Sequence, residues 1–137
     1  MIGLNQFRYG NLFQRKKSGE ILIFSGITPL NQNLYFTNNQ NRVIDYYNLE
    51  IEAITLTEEW LVMLGFVKDG NGNHWINLQT HYLEFIYSIG YFYPVYAQIP
   101  EMSHEDEQRV SLNRIQSVHQ LQNLYFALTG EELKLKD

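Results

Sequence analysis

Lys68-Asp69-Gly70-Asn71-Gly72-Asn73-His74-Trp75-Ile76-Asn77-Leu78 opens the stretch on which the fold turns. It contains both Asp-Gly and Asn-Gly, the residue pairs that best tolerate the positive φ angles of a tight antiparallel turn. Three aromatic-rich segments follow, at residues 74–78, 81–88 and 92–99. In the second, Leu83, Phe85 and Tyr87 share one face of an extended chain and Tyr82, Glu84 and Ile86 the other. Gly90 marks the turn into the third, and Pro94 suits an edge strand or bulge. The acidic residues Glu101, Glu105, Asp106 and Glu107 occupy a polar loop before a fourth alternating segment from Arg109 to Ile115. The pattern predicts an antiparallel meander of three to four strands.

A helix is expected on each side of that meander. In Leu56-Thr57-Glu58-Glu59-Trp60-Leu61, Thr57 stands at the N-cap and two carboxylates fill the first turn, facing the positive end of the helix dipole. Leu56 and Leu61 have the spacing of a hydrophobic staple, and Gly65 followed by Phe66 suits the C-terminal stop. The later helix starts at Ser117, with Gln120 completing an S-x-x-Q capping box, and ends at Gly130. Its apolar stripe runs through Val118, Leu121, Leu124/Tyr125 and Leu128.

The first fifty residues carry short apolar runs divided by turns: near Leu12-Phe13, then Glu20 to Phe24, Leu34 to Thr37, Arg42 to Asp45 and Leu49 to Glu52. Five short strands without a helix point to a small SH3-like barrel, since closure removes exposed edges. The expected fold class is therefore α+β. Residues 1–54 form an SH3-like β-barrel subdomain, and residues 55–137 form a helix, an antiparallel meander and a C-terminal helix packed on that meander. Each part is small, so the two are expected to form one compact unit.

Composition narrows the function classes. The 137 residues include ten Tyr, eight Phe and no Cys, which removes disulfide frameworks, zinc knuckles and thiol nucleophiles. No apolar run approaches the ~20 residues that span a bilayer, and no basic region followed by an apolar run opens the chain, so cytoplasmic residence without membrane contact is expected. The net charge of −5 is unevenly spread, at +3 over residues 1–48 and −8 over residues 49–137. Overall acidity opposes non-specific nucleic-acid binding.

The segments Leu56 to Leu61 with Gly65-Phe66, and Val118 to Leu133, together with Arg8-Tyr9-Gly10-Asn11, resemble a family of small uncharacterised proteins from gut Bacteroidetes and their phages or mobile elements. The resemblance covers nearly the whole chain and is most specific in the C-terminal helix. It implies a fold plan and a genomic setting, and it supplies no catalytic residues.

Two groups of residues carry possible function. His119, Gln122, Asn123 and Phe126 lie opposite the apolar stripe at i, i+3, i+4 and i+7. They form either a docking surface for another protein or a solvated face, with His119 bonding an adjoining strand and Phe126 packed on the N-terminal half. Arg8, Arg15, Lys16, Lys17 and Arg42, interleaved with Phe7, Tyr9 and Phe13, form either a nucleic-acid contact or an ordinary basic turn beside core aromatics. His74, His81, His104 and His119 have no metal-ligand spacing, and no phosphate loop, nucleophile elbow or spaced carboxylate pair occurs. The expectation is a non-enzymatic interaction or accessory protein of a phage or mobile element, with no cofactor and another protein as partner. The alternative is a nucleic-acid-binding module that uses the basic N-terminal segment.

Overall fold

The short apolar runs of the first fifty residues build one antiparallel sheet. The computed structural model describes residues 6–27, 34–38, 43–46, 50–98 and 109–136, with the backbone alone for 43–46. Strands β1 (Leu12–Arg15), β2 (Ile21–Ile27), β3 (Leu34–Thr37), β4 (Val43–Tyr46) and β5 (Ile51–Ala53) pair in the order β4-β3-β2-β1-β5. Leu22, Phe24, Leu34 and Phe36 alternate onto the buried face and join Phe13 and Ile51 in one cluster. Phe7 caps that cluster, with ring centroids 4.7 Å from Phe13 and 5.1 Å from Phe24. The β2–β3 register shifts between Phe24 and Gly26, a bulge that bends the sheet. Among the described residues no ladder joins β4 to β5, so a five-stranded antiparallel sheet is shown and a closed barrel is not. No α-helix occurs among the described residues before residue 50.

The second sheet comprises β6 (Val67–Lys68), β7 (His74–Asn77), β8 (His81–Ser88), β9 (Tyr91–Gln98) and β10 (Arg109–Ser111), in the order β10-β9-β8-β7-β6. It is the expected meander with one extra strand, β6, whose two residues are too short to show as a pattern. The turn into β7 is held by Asp69 Oδ1, which accepts from the amides of Asn71 and Asn73. Pro94 lies in an interior strand, not at an edge. Its carbonyl accepts from Leu112 N, so its proton-free nitrogen also faces the β10 side, and the ladder ends at Ser111, where the reciprocal bond from residue 94 cannot form.

Helix α1 (Glu58–Met63) forms as its caps dictate. Thr57 accepts from Trp60 N at 3.3 Å, and the amides of Gly65 and Phe66 return to the carbonyls of Val62 and Leu61. That pair of bonds is a Schellman motif, and Gly65 takes the required positive φ of 95°. Leu61, Leu64, Phe66, Leu83, Phe85 and Phe92 are among the buried apolar residues of its unit, with Phe66 and Phe85 rings 5.5 Å apart.

Helix α2 (Val118–Thr129) corrects the expected domain plan. The sequence reading seats it on the meander, whereas it belongs with the N-terminal sheet: one unit is Met1–Thr55 with Ser117–Glu132, the other Leu56–Gln116 with Leu133–Asp137. The cause is a chain closure. Thr55 bridges Ser117, and Val118 N donates to Ile54 O at 2.9 Å, so the chain re-enters the first unit beside the point where it left. Val118, His119, Leu121 and Gln122 are buried, whereas Leu128 is half-buried, so the buried stripe is shifted from the apolar one.

Phe13, fully buried among Phe7, Phe36 and His119, is the test of the first core. Phe13→Ala is expected to destabilise that unit by about 3–5 kcal/mol, read as a fall in urea midpoint without a change in m-value.

Candidate functional site

The helix face carrying His119, Gln122 and Asn123 is a structural lock, which corrects the docking-surface expectation for these residues. Gln122 is 2% exposed; its Oε1 accepts from Leu12 N at 2.8 Å and its Nε2 donates to Gly10 O at 3.1 Å. One carboxamide thus satisfies the backbone donor and acceptor where the chain enters β1. Asn123 Oδ1 accepts from Asn11 Nδ2 and Arg8 Nε, each at 3.0 Å, and its Nδ2 reaches Gln6 O. Asn11 is fully buried and accepts from Arg8 N at 2.7 Å. Buried polar groups in this face therefore find partners inside the unit, as an apolar surrounding requires.

His119 is 2% exposed and stacks obliquely on Phe13, with centroids 4.8 Å apart. Its Nε2 lies 3.1 Å from Gln6 Oε1 and its Nδ1 lies 3.2 Å from Ser117 Oγ. Because Oε1 can only accept, Nε2 carries the proton and Nδ1 accepts from the Ser117 hydroxyl. The Ser117 side chain makes no cap bond to the helix amides, so the expected capping box does not form. Burial lowers the imidazole pKa from 6.5 to about 4, which keeps the ring neutral.

Arg8 belongs to the same lock. Its Nη2 donates to Gln122 O at 3.0 Å, its Nη1 pairs with Glu132, and its guanidinium carbon sits 4.3 Å from the Phe126 ring centroid. Phe126 is thus covered in part from the N-terminal segment and keeps 40% of its surface exposed. Among the other sequence-predicted cations, Arg15 ends β1, and Lys16 and Lys17 stand exposed in the following turn. Arg42 lies outside the described residues. The structure therefore separates Arg8 from the exposed lysines by function: its charge is spent internally.

Sequence reasoning passed over the second unit's exposed surface. The two-residue connection between β8 and β9 is Ile89-Gly90, with φ values of 51° and 80°, the left-handed pair of a type I′ turn. A β-branched residue at positive φ is an outlier costing about 1–2 kcal/mol, and Ile89 is also 90% exposed. Tyr87, Tyr91 and Tyr93 stand exposed around it, and the Arg114 guanidinium stacks 4.2 Å above Tyr91. Beside the tip is a cleft of about 400 Å³, bordered by Thr57, Glu58, Glu59, Tyr87, Gly90 and Phe92. Glu58 Oε1 meets Lys68 Nζ at 3.1 Å and the buried His74 Nε2 at 3.6 Å. The available sequence signal was Ile in a turn slot that favours Asn or Asp.

Comparison with family models, curated proteins and solved structures finds no match.

Two outcomes test the lock. Gln122→Leu orphans a buried N–H and a carbonyl, and is expected to cost roughly 1–3 kcal/mol for each group in equilibrium unfolding. His119 has a lower pKa folded than unfolded, so protons favour the unfolded chain. Its contribution is complete above about pH 6.5, declines as pH falls toward 4 and is flat below, about 3 kcal/mol in all. The pH–stability curve of His119→Gln is expected to lack that part of the slope.

Proposed function

We propose that this chain is a non-catalytic protein-interaction module that contacts its partner through the β8–β9 tip. The observation that carries the reading is Ile89, a large apolar side chain held 90% exposed on a strained backbone. Strain of this kind persists only where surrounding structure over-determines it, and it concentrates at contact sites. Tyr87 stands exposed on one face of the hairpin and Tyr91 and Tyr93 on the other, so rings of the kind that protein interfaces favour flank Ile89 on both faces. The resemblance supports an accessory role in a phage or mobile element, and we place its action in the cytoplasm. The first sheet, in which a β1–β4 meander takes β5 beside β1, has the strand order of an SH3-like barrel, and we read it as the scaffold of the module. Nucleic-acid binding through the basic segment is the weaker reading because Arg8 already has an ion pair, two hydrogen bonds and an aromatic partner.

Ile89→Asn separates function from folding. Asn accepts the left-handed conformation, so the variant is expected to gain about 1 kcal/mol of stability. In affinity purification from cells that encode the chain, it is expected to lose a partner that the parent captures. Equal capture by parent and variant would refute the tip as the contact.

A further inference from the structure

We infer that the cleft beside the β8–β9 tip receives a cationic side chain, Arg or Lys, of the partner protein. The inference rests on the interaction reading above and names the chemistry of its recognition. Tyr87 and Phe92 border the cleft with ring centroids 5.0 Å apart and planes inclined at 58°. Phe92 is itself buried and backs Tyr87, which presents the exposed aromatic ring at the cleft, a surface that attracts a compact cation. Tyr87 is 57% exposed, so its face is open to a ligand.

The charge that borders the cleft has the complementary sign. Glu58 and Glu59 both border the cleft. Lys68 and His74 meet Glu58 through Oε1, and among the described residues no hydrogen bond or ion pair falls on the Glu59 carboxylate. Lys68 offsets the charge of Glu58. Carboxylates and an exposed aromatic ring that border one cleft each attract a cation, and the carboxylates repel phosphate. The hairpin already shows the affinity of its rings for guanidinium, because Arg114 stacks on Tyr91.

The test is an NMR titration of the full isotope-labelled chain with a capped tetra-arginine peptide at about 0.15 M salt, where long-range attraction is screened. Saturable shifts confined to the amides of Glu58, Glu59, Tyr87 and Gly90, with Kd below about 1 mM, are expected. Glu59→Gln and Tyr87→Ala are each expected to raise Kd about three- to fivefold, and Glu131→Gln, an acid outside the cleft, to leave it unchanged. Because Tyr87→Ala removes no charge, its effect distinguishes a cation–aromatic site from general attraction to an acidic protein. Absent shifts, or shifts that respond equally to Glu131→Gln and ignore Tyr87→Ala, overturn the inference. Ile89→Asn keeps failures apart. Lost partner capture with no peptide at the cleft refutes the cation site alone, and peptide binding at the cleft with partner capture unchanged refutes the tip alone.

Discussion

The backbone closure at Ile54–Thr55 and Ser117–Val118 is the constraint from which the rest of the architecture follows. Once Val118 N donates to Ile54 O and Thr55 bridges Ser117, residues 56–116 are an excursion that leaves and rejoins the first unit at one place. Chain ends held close together are the condition under which one folded unit can be inserted into another. The closure also puts the first turn of α2 beside the end of β5, within reach of β1, which pairs with β5.

Gln122 then selects the rotation of the helix. Its carboxamide matches one N–H and one C=O of the segment entering β1, a demand that an apolar side chain at that position cannot meet. Turning the helix by one residue would strand both backbone groups in a buried setting. Asn11, Asn123 and Arg8 extend the same network, so a polar cluster specifies the docking of an element whose apolar stripe alone is permissive.

The two faces with functional promise exchange roles as a result. Polar helix residues that look available to a partner are consumed internally, while aliphatic and aromatic residues of the β8–β9 hairpin stay in water. The hairpin can sustain the strain at Ile89 because eight consecutive residue pairs, from His81–Gln98 to Ser88–Tyr91, close the ladder on both sides of the turn. A partner that buries Ile89 would recover apolar surface which the monomer gives up, at about 25 cal/mol per Å².

The sequence by itself determined the local elements. Thr57, Gly65 and Phe66 set the ends of α1, Asp69 to Asn73 set a turn, and the apolar runs between turns set the strands, with Leu83 and Phe85 sharing one face of β8. These depend on interactions within a few residues, or on the period of the pleat, and both are written in order along the chain. Tertiary structure alone decided that α2 joins the N-terminal sheet, that His119 and Gln122 are buried, and that Arg8 is spent on Glu132, Gln122 and Asn123. An amphipathic stripe records that a helix has a buried face but not which sheet covers it. That choice was made by hydrogen-bond partners more than 100 residues apart, between groups such as Leu12 N and Gln122 Oε1 whose complementarity exists only once the chain has closed.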